Sequence, residues 1–80
     1  MIKKITLSDG CQVGIANLED ILQEVADLKL EEPAAIKKEL LERTKAYNYV
    51  AAPVEQEYAN ALFAEYGRQY AKGLKTRVDL

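Results

Sequence analysis

Apolar and polar positions alternate with a period of two only at the start of the chain, where Ile5, Leu7, Cys11, Val13 and Ile15 are spread over two short runs, residues 2–7 and 11–15. Alternation of this kind marks a half-buried strand, and the Asp9-Gly10 pair between the runs marks a hairpin. The register follows from asking which pairing keeps the apolar residues on one face. A two-residue loop sets Thr6 opposite Val13 and Lys4 opposite Ile15, which mixes the faces. A three-residue loop, Ser8-Asp9-Gly10, with Gly10 in the left-handed conformation of a bulge, sets Leu7 opposite Cys11, Ile5 opposite Val13 and Lys3 opposite Ile15. This register is preferred, and it predicts that the Cys11 thiol turns toward the core.

Beyond residue 17 the period changes to that of a helix. Leu18, Ile21, Leu22, Val25 and Leu28 form one apolar stripe, so residues 18–29 are predicted as a first helix, capped by Asn17 and carrying Glu19 and Asp20 at its positive end. Pro33 opens a second helix over residues 33–46, with Ile36, Leu40, Leu41 and Tyr47 inward and the pair Glu39/Arg43 outward. The pattern breaks at residues 47–52. Pro53 then opens a third helix over residues 53–72, with Gly73 placed to end it and residues 74–80 read as a frayed tail. The reading is a single domain over residues 1–80, of α+β class and mostly α, with the N-terminal β-hairpin packed on three helices.

The third helix has an apolar repeat of four: Val54, Tyr58, Leu62, Tyr66, Tyr70 and Leu74. Each step drifts by about 40° around a helix of 3.6 residues per turn, so no single neighbour covers all six. Phe63, Tyr66 and Tyr70 therefore need a second neighbour, either the hairpin or another protein chain. Gly67 beside them costs about 1 kcal/mol relative to alanine, which is explained if something approaches the backbone there.

Composition narrows the chemistry. The 80 residues contain no histidine and one cysteine, with a net charge of −2 and charged residues at 30%. Imidazole acid–base catalysis, histidine-based nucleophile pairs and the common zinc sites need residue types the chain lacks, so no enzyme activity, cofactor or metal is expected. No stretch reaches the length of a membrane span, and the apolar start is interrupted too early by Ser8, Asp9 and Gly10 to act as a signal sequence. A lone cysteine builds no disulfide framework within the chain, which fits a cytoplasmic location.

The remaining candidates are contact surfaces. Tyr47-Asn48-Tyr49-Val50 places two tyrosines and a valine where a connection between helices usually holds small polar residues. One reading has Tyr47 ending the core stripe while Tyr49 and Val50 fill a gap beneath the loop; the other has the segment bind a protein partner. Together with Phe63, Tyr66 and Tyr70, it is the expected partner-binding surface of a small adaptor or accessory protein, which could be a homodimer. An alternative is a thiol-dependent redox or metal-transfer role for Cys11, which needs exposure and a lowered pKa. A third is weak nucleic-acid binding through the basic end, where Arg68, Lys72, Lys75 and Arg77 stand against Asp79 alone. The acidic remainder of the chain weighs against it. Asp20, Glu24 and Asp27 share one side of the first helix and are read as a solvated face.

Asp9-Gly10, Val13-Gly14-Ile15, Leu18, residues 28–30, Tyr47-Asn48-Tyr49-Val50, Glu57-Tyr58, Ala61-Leu62 and Glu65-Tyr66 together resemble a group of short uncharacterised proteins of anaerobic bacteria and archaea. The resemblance spans most of residues 3–70. It implies a complete domain and carries no catalytic or ligand-binding role.

Overall fold

A computed structural model describes the backbone of residues 2–78 and the side chains of residues 2–69. Two strands, β1 (Ile2–Thr6) and β2 (Gln12–Ala16), are followed by α1 (Leu18–Asp27), α2 (Pro33–Tyr47), a short 3-10 turn (Ala52–Val54) and α3 (Glu55–Val78). The strands pair antiparallel, with Lys3 opposite Ile15 and Ile5 opposite Val13. This is the three-residue-loop register. Gly10 takes a φ of 91°, the Leu7 amide donates to the Cys11 carbonyl at 2.8 Å, and the Gly10 amide donates to the Leu7 carbonyl at 3.0 Å. The left-handed position explains why glycine occupies the loop's last residue.

One contiguous core joins the elements. The hairpin contributes Ile5, Leu7 and Ile15, α1 contributes Leu18, Ile21, Leu22 and Val25, α2 contributes Ile36 and Leu40, and α3 contributes Ala61, Leu62 and Tyr66. The α1 stripe is the predicted one, except that Leu28 lies past the helix end and is exposed. In α2 the buried stripe is Ile36, Leu40 and Thr44, one residue every four, while Leu41 is half-buried and Tyr47 is exposed. The inward stripe expected of α2 thus holds for Ile36 and Leu40, only in part for Leu41 and not for Tyr47, which faces outward. A four-residue step follows one ridge of the helix, and that ridge ends on Asn48 rather than Tyr47.

Charged side chains tie the layers from outside. Arg43 pairs with Glu39 at 3.3 Å, as the i,i+4 spacing predicts, and also reaches across to Glu24 of α1 at 2.8 Å. Lys3 of β1 meets Glu19 of α1 at 2.5 Å, and Lys45 of α2 meets Glu55 of α3 at 2.8 Å. All are solvent-accessible pairs, which water screens and which therefore add little to stability.

The helix ends depart from expectation in three places. Asn17 makes no side-chain cap; it sits in the left-handed region at φ 60°, and its carbonyl accepts the Ile21 amide at 2.9 Å. Asparagine is used here for its tolerance of that conformation, which the sharp exit from β2 into α1 requires. Gly73 does not end α3, whose helical backbone continues to Val78. One helical glycine costs about 1 kcal/mol, which the remainder of a long helix can offset. Lys29, just beyond α1, adopts φ 55°, and its amide donates to the Ala26 carbonyl at 3.1 Å. That position suits glycine, so Lys29→Gly is expected to raise stability by about 0.5–1 kcal/mol in urea unfolding. An unchanged or lower midpoint would mean that the lysine side chain compensates the strain.

Candidate functional site

The connection between α2 and the 3-10 turn is built around Asn48. The last turn of α2 delivers it with extended backbone, φ −136° and ψ 151°, and its amide donates to the Thr44 carbonyl at 2.8 Å. Its side chain then pairs with a strand. Asn48 Oδ1 accepts the Ala16 amide at 2.9 Å, while Asn48 Nδ2 donates to the Ala16 carbonyl at 3.2 Å and to the Thr44 carbonyl at 3.2 Å. The carboxamide thus occupies the end of the β2 edge as a neighbouring peptide would, and joins α2 to the hairpin. Thr44, fully buried one turn before Asn48, has a hydroxyl without a hydrogen-bond partner among the described residues.

An extended backbone sends successive side chains to opposite sides, which separates the two readings of the segment. Val50 turns inward and is 7% exposed, whereas Tyr49 stands 88% exposed and Tyr47, on the last turn of α2, 51% exposed. The gap-filling role belongs to Val50 alone. The structure thus presents two tyrosine rings outward on a segment clamped from below by Asn48 and Val50. Among the described residues, the other large exposed apolar side chains are Ile2 and Leu28. Ile2 pairs with Ala16, so it belongs to the strand end that Asn48 holds.

The aromatic residues of α3 do not join this surface as predicted. Tyr66 is 5% exposed and belongs to the core, so the neighbour its drifting stripe needed is the protein's own interior, where α3 packs against β1. Phe63 is half-buried against the same core, with Lys37 Nζ 5.3 Å from the centre of its ring. The Tyr70 side chain lies outside the described residues, and Gly67 faces no close neighbour within 4 Å of where a Cβ would stand. Among the described residues nothing makes the close approach to Gly67 that the sequence suggested. Asn48, placed in the partner-binding set, has its side chain committed to internal hydrogen bonds.

Cys11 is exposed, against the prediction of a buried thiol. The register itself is the expected one, with Ile5 opposite Val13 and the Leu7 amide bonded to the Cys11 carbonyl. Coverage differs across the pair: Leu7 is buried in the core cluster that includes residues of α3, whereas Cys11 opposite it is exposed. The loop touches α3 through Ser8 Oγ, which donates to Glu57 at 3.0 Å. Asp9 accepts the Cys11 amide at 2.9 Å, and this bond lowers the pKa of the Asp9 carboxyl. The thiol's pKa is raised, first by its hydrogen bond to Asp9 and then by that carboxylate's charge. The environment is thus the opposite of the cationic one that activates a thiol.

The sign of that shift is testable. A raised thiol pKa leaves less thiolate at a given pH, so Cys11 should alkylate more slowly at mildly alkaline pH than cysteine in an unstructured peptide, despite its exposure. Asp9→Asn keeps an acceptor for the Cys11 amide and removes the charge, so labelling should accelerate and its pH midpoint should fall. Equal rates for the two proteins would show that Asp9 does not control the thiol.

Arg68, the first cation of the basic end, pairs with Glu65, and the side chains of Lys72, Lys75 and Arg77 lie outside the described residues. Among the described residues no group of acidic, cysteine or histidine side chains is arranged to hold a metal ion, and no helix is long and apolar enough to cross a membrane. The fold and site define an α+β protein in which a two-stranded hairpin is laid on three helices, with Tyr47 exposed at the end of α2 and Tyr49 exposed in the connection that follows. Compared with family models, curated proteins and solved structures, the chain matches none.

Proposed function

We propose that this chain is a small non-enzymatic adaptor or accessory protein that works through protein contacts made by Tyr47 and Tyr49. The observation that carries this reading is the outward presentation of both rings on an anchored segment. An aromatic ring in water contributes little to its own fold, while the same ring buried at an interface is a frequent source of affinity. Anchoring matters because ordering a loop on binding opposes association, and here the backbone is already held by Asn48 and Val50. The partner is another protein or a second copy of the chain. A cytoplasmic setting is part of the reading, supported by the single free cysteine.

The test is the pair of substitutions Tyr47→Ser and Tyr49→Ser. Both sites are exposed, so the thermal midpoint should hardly move, and stability should change by no more than about 0.5 kcal/mol per site. Sedimentation equilibrium of the wild type and the double variant reads self-association. Immobilised wild-type and variant baits, exposed to extract of the native host, read other partners. The reading requires a self-association or a bound protein that disappears with the rings. A monomer whose bound proteins are the same for both baits would refute it.

A second reading, a thiol-dependent redox or metal-transfer accessory, is favoured by the exposure of Cys11 and opposed by the anionic environment that raises its pKa. Cys11→Ser separates the two, because it abolishes a thiol function and leaves a tyrosine contact intact.

A further inference from the structure

We propose that the groove between α2 and α3 docks an acidic amphipathic helix from a different protein, giving the chain a second contact face. The groove holds about 440 Å3 and is lined by Ala34, Lys37, Lys38 and Leu41 of α2 and by Gln56 and Ala59 of α3. The α2 residues recur at i, i+3, i+4 and i+7, a stripe rotated by about 100° from the buried ridge of Ile36, Leu40 and Thr44. Buried Ala59 and half-buried Leu41 give the lining an apolar part, and exposed Ala34 adds no bulk beside them. The stripe runs for about 10 Å along α2, the length of two helical turns. A third helix laid against a helix pair fits such a channel and inserts apolar residues at matching spacing.

Charge complementarity selects the occupant. The lining holds two lysines and no carboxylate, in a chain whose net charge is −2. Among the described residues Lys37 and Lys38 meet no carboxylate within ion-pair distance; Lys4 and Lys29 meet none either, but only Lys37 and Lys38 stand side by side on a groove lining without a carboxylate. Lys37 lines the groove beside Lys38, with its Nζ 5.3 Å from the centre of the Phe63 ring. Carboxylates flanking an apolar stripe would meet both cations. A second copy of this chain is a poor occupant: its α1 shows an acidic outer face at Glu19, Asp20 and Asp27, but its apolar stripe is already buried in the core.

The groove uses none of the residues of the tyrosine surface, so the two readings stand or fall separately. The probes are three synthetic helical peptides with the same leucine stripe and with glutamate, glutamine or lysine at the flanking positions, titrated into the 15N-labelled full chain. The glutamate peptide should bind tightest and shift the amides of Lys37, Lys38, Leu41 and Ala59, with binding that weakens as salt rises. Lys37→Glu/Lys38→Glu should lose about tenfold in affinity for the glutamate peptide and gain affinity for the lysine peptide. Lys38→Glu alone, which leaves the Phe63 contact in place, should show the same preference at smaller size. Tyr47→Ser/Tyr49→Ser should bind the glutamate peptide as the wild type does. Equal binding of glutamate and glutamine peptides, shifts that map elsewhere, or dodecanoate moving the same amides more strongly than the glutamate peptide would each overturn the proposal.

Discussion

Replacing Leu62 by alanine is expected to lower the unfolding free energy by about 3–4 kcal/mol, within the range for a fully buried leucine whose cavity cannot collapse. Leu62 is 0% exposed and lies in the core cluster with residues of the hairpin and of α1 and α2. A chain of 80 residues has a total stability of only about 4–12 kcal/mol, so the variant stands near the unfolding threshold. Its thermal midpoint should drop by about 12–32 °C. Leu28→Ala, at a side chain 43% exposed beyond the end of α1, is the control and should cost far less. A loss below about 1 kcal/mol at Leu62 would mean that the helices close over the site, and that α3 does not hold the layers apart as described.

That the wager on Leu62 can be made at all reflects how core positions are written in a sequence. The hairpin register was legible because the competing register mixes Val13 and Ile15 with Thr6 and Lys4. The helices were legible because Leu18 to Val25 and Ile36 to Leu40 keep helical spacing. Such patterns report which residues share a face. They do not report how far the neighbouring layer extends, and for that reason Cys11 and Leu7, opposite each other on one face, end up exposed and buried. The same limit applies to Tyr66, whose aromatic stripe needed a partner and found one inside the fold.

The candidate surface was legible only in part. Two tyrosines in a connection are an unusual composition, and the composition alone marked the segment. The division within it was not visible, because inward Val50 and outward Tyr49 depend on the extended backbone that Asn48 sets. Asn48 in turn depends on Ala16, 32 positions away in the chain. Side-chain to backbone bonds over such separations leave no periodicity behind.

Asn48→Ala is the sharper test of how the fold serves the surface, and is expected to cost about 2 kcal/mol. The carboxamide makes three hydrogen bonds at a part-buried junction. Each such bond contributes about 1 kcal/mol, and an unpaired buried amide costs about as much again, discounted here because water reaches the junction. The loss should be local before it is global. The Ala16 amide, hydrogen-bonded to Asn48 Oδ1 at 2.9 Å, should exchange with solvent far faster in the variant, while amides in the middle of α1 keep the protection set by global unfolding. Asn48→Asp keeps the acceptor for that amide, loses both Nδ2 donors and sets a carboxylate against the Ala16 carbonyl, so it should also destabilise. Any association that depends on Tyr47 and Tyr49 should weaken in both variants although neither ring is altered, because the segment that orders them is released. If Asn48→Ala retains wild-type stability and wild-type exchange at Ala16, water replaces the carboxamide without cost, and the outward tyrosines are not held by the clamp described here.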